Sequence, residues 1–229
     1  MIRSSIRTKM ASFTINLVKE FVIRYTIVMT ALDVLLGVAI QQHGYVTVQD
    51  ARRVGVDPQR LRALALRGRA EQRERGLYRI SLVPHRPHDD YAEAVLLAGD
   101  HGVLAGEAAL DLWDLADVNP RRIEVIVPPG LRIRRIRKDV VFLRKDIPRD
   151  QIDEVDDIRV ASPSLAIEIA MDEGVDGSLI DQAITKASRR ELIGARRAAK
   201  LLAALDDKEK GAKRAKVIGF QAIDSTWND

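Results

Sequence analysis

Cysteine is absent from this 229-residue chain. That excludes a disulfide framework, a thiol nucleophile and a thiolate metal site. Aromatic residues are scarce: two Trp, four Tyr and four Phe make up 4% of the sequence. Proteins that stack single-stranded bases need several exposed rings, which argues against that class. Long apolar runs are also missing. A membrane-spanning helix needs about 18–20 consecutive apolar residues, and the nearest stretch, Phe21 to Ile40, is broken by Arg24 and Asp33. Four histidines are scattered, and only His85 and His88 lie close together, between prolines. No G-x-G-x-x-G, P-loop, kinase-type catalytic loop or metal-binding D-F-G occurs, and there is no internal repeat. The expectation is a protein without cofactor, without metal and without membrane partner, cytoplasmic by default, and more a binding protein than an enzyme.

What is present is a chain that can bury a core and stay soluble, with 46% hydrophobic and 31% charged residues. Its length suits one large domain or two small ones. The net charge of +4 is unevenly spread. Residues 1–28 and 29–84 each carry +4, and residues 85–229 carry −4. The basic part of the middle segment is arginine alone. A basic front and a mildly acidic rear suit a polyanion partner at one end. Residues 1–28 read as a basic extension that loosely resembles a targeting peptide but lacks a small-residue cleavage site. Met29 is an alternative start, which would leave 1–28 upstream of it.

Residues 29–84 read as a winged helix-turn-helix. Leu32, Leu35, Leu36, Ala39 and Ile40 recur at helical spacing, and Gly44 ends that helix. Thr47 three residues before Asp50 is a capping box that opens a short helix reaching Gly55. Asp57-Pro58 opens the next one, with a carboxylate at N-cap and proline at N1, and Gly68 stops it. Ala70 to Glu74 and Leu77 to Ile80 form a hairpin turned at Arg75-Gly76. Val83 to His88, with two prolines, is a linker. Residues 85–205 follow as an α+β domain with a small sheet and several helices. Asp89 and Asp90 cap a helix carrying Tyr91, and Val103 to Leu115 reads as another. Strands fall at Ile123 to Val127, Val140 to Leu143 and Ile158 to Val160. Helices fall at Leu165 to Asp172, Gly177 to Ser188 and Arg190 to Leu205. Residues 206–229 read as a charged, mobile tail.

The helix after Pro58 has the two faces that a major-groove reader needs. Leu61, Leu64, Ala65 and Gly68 share its inner side, whereas Gln59, Arg60, Arg62, Ala63 and Arg67 lie on the outer side or its flanks. Arginine bonds bidentately to guanine and glutamine to adenine, and a small Ala63 lets the backbone approach or meets a thymine methyl. Leu66 also points outward, without an assigned role. Arg69, Arg73, Arg75 and Arg79 of the hairpin are placed for phosphates or the adjacent minor groove. Thr47 and Gln49 suit backbone phosphates at a helix start. A basic helical hairpin used only for protein contacts has the same pattern.

Three runs carry a family resemblance: His43-Gly44-Tyr45-Val46-Thr47-Val48-Gln49-Asp50-Ala51, then Gly55-Val56, then Arg75-Gly76-Leu77-Tyr78-Arg79. They resemble the N-terminal winged helix of AbiEi-family antitoxins. Val103 to Leu110, Ile123 to Pro128 and Ile158 to Pro163 resemble that family's C-terminal domain, so the likeness spans residues 31–205. The chain departs from the family at Gly106, where a polar residue often precedes the Glu, and at Trp113-Asp114, where His-Gly is frequent. The resemblance implies an antitoxin of a bicistronic toxin–antitoxin or abortive-infection system. Such a protein binds double-stranded operator DNA in its own promoter, represses the operon, and neutralises a nucleotidyltransferase-like toxin. Two alternatives stand beside it. One is a kinase-like antitoxin that phosphorylates its toxin, and the other is an ordinary repressor with a C-terminal oligomerisation domain. Monomer and dimer both remain open.

Outside that helix, Arg132, Arg134, Arg135, Arg137 and Lys138 form a dense basic run in a net-negative region. It suits DNA phosphates, an acidic toxin surface or a solvated loop. Asp150, Asp153, Glu154, Asp156 and Asp157 read as a solvated turn, with Mg²⁺ binding as the alternative. Glu124 lacks the Lys two residues on that a restriction-type nuclease would want.

Overall fold

The computed structural model describes residues 30–133 and 137–224, with side chains as far as Lys210. The expectations for residues 1–28, for the start at Met29 and for Arg134 and Arg135 therefore lie outside the described residues. Among the described residues no helix is long and apolar enough to cross a membrane.

The N-terminal unit starts with helix α1 (Ala31–Ile40), capped by Thr30, whose hydroxyl accepts from the Asp33 N–H while the Asp33 carboxylate accepts from the Thr30 N–H. Leu35 and Ala39 of this helix are fully buried. The chain then turns through His43 and Gly44, both at positive φ, into strand β1 (Tyr45–Thr47). Helix α2 (Val48–Arg53) carries the expected Thr47/Asp50 capping box. Helix α3 (Pro58–Leu66) opens with Asp57 accepting from the Gln59 N–H. Strands β2 (Ala70–Glu74) and β3 (Leu77–Ile80) form the hairpin. The sheet order is β1-β3-β2, antiparallel throughout. The third strand, β1, adds to the hairpin that the sequence pattern predicts.

The C-terminal unit is a mixed α/β layer structure. Its five-stranded sheet has the order β6-β5-β4-β8-β7. The strands are β4 (Val103–Ala105), β5 (Ile123–Val127), β6 (Val140–Arg144), β7 (Ile152–Val155) and β8 (Ile158–Ala161). Pairs β5/β6 and β4/β8 are parallel, and β4/β5 and β7/β8 are antiparallel. Helices α4 (Asp89–Leu97), α5 (Gly106–Leu112), α6 (Pro163–Asp172), α7 (Gly177–Arg189) and α8 (Ala195–Asp224) complete the unit.

Several expectations need correction here. Val103 to Leu115 is not one helix. Val103–Ala105 is the buried central strand, and Gly106 at φ +59° redirects the chain into α5. An apolar run this short fits a buried strand as well as a helix. Asp89 does not cap α4: His88 occupies the N-cap at φ 63° with no side-chain cap bond. The acidic stretch is only partly a turn, because Ile152–Val155 pairs with β8 and Asp156 and Asp157 make the reversal at positive φ. Residues 206–224 continue α8.

The linker is pinned rather than free. Val83 is buried, and its carbonyl accepts from Arg79. Arg86 pairs with Asp156 and Asp157 across the units. Tyr45 and Leu77 of the N-terminal sheet are buried in the C-terminal core, and Val46, Tyr78 and Ile80 belong to the N-terminal one.

Candidate nucleic-acid interface

Helix α3 divides as its sequence predicts. Leu61 is fully buried, and Leu64 and Ala65 pack against the N-terminal core. Gln59, Arg60, Arg62 and Arg67 are exposed, with Ala63 half-buried between them. At about 100° per residue, Gln59, Ala63 and Leu66 form the centre of the outer face. Arg60 and Arg67 lie on one flank and Arg62 on the other. Leu66 is 84% exposed, the most solvent-accessible large apolar side chain described. Gly68 at φ +68° ends the helix, and the exposed Arg69 follows it. Gln59, Arg60, Arg62, Arg67 and Arg69 make no side-chain hydrogen bond or ion pair among the described residues.

The hairpin arginines do not act as one group. Arg75 at the turn is exposed. Arg73 reaches toward the C-terminal unit, with Nε 3.2 Å from Glu93 Oε2 and its terminal nitrogen 2.8 Å from Glu71. Arg79 must be withdrawn as a phosphate ligand. It is 6% exposed, and its terminal nitrogen donates to the Val83 carbonyl at 3.0 Å and lies 3.4 Å from Asp89. On β3 it alternates onto the side that meets the linker. Thr47 is also a correction: it is buried, and its hydroxyl donates to Asp50 at 2.6 Å while accepting from the Asp50 N–H. Gln49, two residues on, is exposed.

The basic run beyond β5 divides too. Arg132 and Lys138 are exposed. Arg137 is not a free contact residue, because it lies 3.3 Å from Glu93 and also pairs with Asp139. Burial opposes the charge of Arg137, but the Asp139 hydrogen bond and the charges of Glu93 and Asp139 outweigh it and raise its basicity.

The groups that set this geometry carry no local signal in the sequence. Glu93 is a buried carboxylate on α4, bonded by the Tyr45 hydroxyl at 2.9 Å and facing Arg73 and Arg137. Burial and this carboxylate push the Tyr45 hydroxyl well above its ordinary range. A second cluster surrounds Asp89. His43, fully buried, has Nδ1 3.1 Å from Asp89 and Nε2 2.7 Å from the Asp156 carbonyl. His85 and Arg79 join on the other carboxylate oxygen of Asp89. Burial alone would raise Asp89, but these bonds overcome it and hold the carboxyl below its usual value. Glu93 sits in a helix as one acidic residue among apolar ones, a pattern that sequence cannot separate from a solvated position.

At the two departures from the family pattern, Gly106 packs under Glu124, where an added Cβ would stand 2.8 Å from Oε2. Trp113 donates to the Ala161 carbonyl at 3.0 Å. Among the described residues no three His, Asp or Glu side chains are grouped to hold a metal ion.

Among solved structures, the chain is similar to RV2827C protein from Mycobacterium tuberculosis, a crystal structure with 17% identity and a TM-score of 0.45, covering 77% of each chain. No curated protein matches the sequence. Residues 33–81, running from within α1 to just past β3, match a protein family described as "Transcriptional regulator, AbiEi antitoxin".

Proposed function

We propose that this protein is a DNA-binding transcriptional regulator of the antitoxin type, with a winged helix-turn-helix whose α3 enters the major groove. In this reading it represses its own operon, and its C-terminal unit neutralises a nucleotidyltransferase-like toxin. One observation carries the DNA-binding part. The outer face of α3 presents Gln59, Arg60, Arg62 and Arg67 exposed and unpaired, on a helix whose inner face closes a core. Arginines left without carboxylates at a surface are available for phosphates and guanine edges. The arrangement α1-β1-α2-α3-β2-β3 with sheet order β1-β3-β2 is the one expected of a winged helix-turn-helix. The family match over residues 33–81 supports the regulator and antitoxin roles.

The test is binding to DNA upstream of the protein's own gene, titrated at two salt concentrations against scrambled DNA. Arg60→Ala and Arg67→Ala should each weaken operator binding by about 1–3 kcal/mol if the side chain reads a base. Unchanged affinity in both would remove α3 as the reading helix. Tight binding without sequence preference would refute operator recognition.

A further inference from the structure

Among the described residues, the exposed large apolar side chains are Ile40, Leu66, Leu82 and Leu202. Such residues scattered singly over a surface need no special account. Leu66 differs in degree and in place. It is 84% exposed, against 56% for Ile40, the next highest. It is also the last residue of α3, on the side turned away from the N-terminal core.

Leu66 closes a stripe. At about 100° per residue, Gln59, Ala63 and Leu66 follow one another along the helix within about 60° of each other. Arg60 and Arg67 run along one side of this stripe and Arg62 along the other. All three arginines are exposed and have no carboxylate within ion-pair distance among the described residues. The stripe itself carries no charge. A protein partner seated on Leu66 would have to bring carboxylates to both sides of it, or leave arginines covered and unpaired. Duplex DNA meets both demands at once. Phosphates line the two edges of the major groove, and thymine puts a methyl group on its floor.

We infer that Leu66 is a specificity-determining residue that packs on the C5-methyl of a thymine, while Gln59 addresses an adenine at the other end of the same stripe. The inference rests on the DNA-binding reading above and adds to it the class of base that α3 selects. The reach fits. Seven residues at about 1.5 Å each carry the stripe about 10.5 Å. Base pairs stack about every 3.4 Å, so Gln59 and Leu66 stand about three base pairs apart on a helix lying along the groove. Ala63 between them has no bulk to hold the backbone off the bases. The half-site opposite the stripe is therefore rich in A·T pairs. Cytosine in place of that thymine offers an amino group and no methyl, and Leu66 would strip the amino group of water without bonding it.

The experiment uses the full chain and duplex DNA from upstream of its own gene, prepared once with thymine and once with uracil, which lacks only the C5-methyl. The wild-type chain should bind the uracil duplex about fourfold more weakly, the effect of one carbon no longer buried. Leu66→Ala should bind the thymine duplex about five- to tenfold more weakly. It should also show less than about a twofold difference between the two duplexes, because the partner of the methyl is gone. Leu66→Met, which keeps an apolar chain of similar size, should restore the difference. Leu202→Ala, on α8, controls for the loss of an exposed leucine and should behave as wild type. Single uracils then place the contact, which should fall about three base pairs from the position whose preference Gln59→Ala relaxes. Equal binding of the two duplexes by the wild-type chain, or a uracil effect that Leu66→Ala leaves intact, would overturn the inference. So would Leu66→Ala binding both duplexes as the wild type does while failing to neutralise the toxin, which would make Leu66 a protein contact. In each of these cases a loss of operator binding in Arg60→Ala and Arg67→Ala leaves the α3 reading standing. If the wild-type chain prefers neither duplex to scrambled DNA, the reading and the inference fall together.

Discussion

Replacing Glu124 by Gln should make the protein more stable at neutral and alkaline pH, and the gain should vanish in acid. Glu124 projects from β5 over Gly106, half-buried, and its Oε2 is buried without a hydrogen-bond partner. Burial, reinforced by the charges of Glu107 and Glu173 and only partly offset by its own backbone N–H and Arg122, pushes its carboxyl from 4.5 up to about 7. The unfolded chain releases this proton near 4.5, whereas the folded chain holds it to about 7. Below 4.5 both states are protonated and Glu124 costs nothing. Between the two values stability falls as pH rises, and above 7 the whole cost is in place. At about 1.36 kcal/mol per pH unit the ceiling is about 3.4 kcal/mol. Solvent reaches part of the carboxylate and screens it, leaving about 1–2 kcal/mol. Gln fills the same volume without a charge. Urea denaturation of both proteins from pH 4.5 to pH 8 should give coincident midpoints at the acid end. At pH 8 the variant should lead by about 1–2 kcal/mol, or about 2–8 °C in melting temperature. A difference that is constant with pH, or that grows toward acid, would refute the argument.

Two further substitutions probe the backbone and the buried charge cluster. Gly106→Ala should cost at least about 1 kcal/mol in chemical denaturation, since a side chain is strained at φ +59° and its Cβ would meet Glu124 Oε2 at 2.8 Å; an unchanged midpoint would show that neither constraint acts. Glu93→Ala leaves Arg73 and Arg137 without their shared carboxylate and should lower unfolding free energy by about 2–4 kcal/mol, below the figure for fully buried pairs because Arg73 is partly exposed. A loss under about 0.5 kcal/mol would mean that the three groups are not coupled.

Much of the N-terminal unit was legible because its signals are local. The Thr47/Asp50 capping box, the Asp57-Pro58 start, the glycine stop at Gly68 and the Arg75-Gly76 turn each involve residues within a few positions of one another. Each is present where the pattern puts it. Strand β1 was missed, since three buried residues show no alternation until β3 is known to lie beside them. In the C-terminal unit β5, β6 and β8 were readable as short apolar runs. Val103–Ala105 was not, because its environment is set by β5 and β8, distant in sequence. Among candidate contact residues the outward side of α3 follows from helical geometry alone. Arg73, Arg79 and Arg137 look the same in sequence as Arg60 or Arg132. Besides local partners such as Glu71, Val83 and Asp139, they are held by Glu93 and Asp89, whose approach depends on how the two units pack. Arginine composition therefore overstates the surface open to an anion.

Tyr45 and Leu77 give the small sheet a divided allegiance, with neighbouring residues on the same strands serving two different cores. Cutting the chain at the prolines would not release two finished pieces. It would expose the apolar side chains of one to water and leave a vacancy in the other. Heat or denaturant should accordingly melt both halves in a single cooperative step. Exchange of the front half for that of another protein would succeed only if the replacement strands offered the same inward-facing bulk. The prolines mark a boundary in sequence, whereas the cooperative unit of this molecule runs across it.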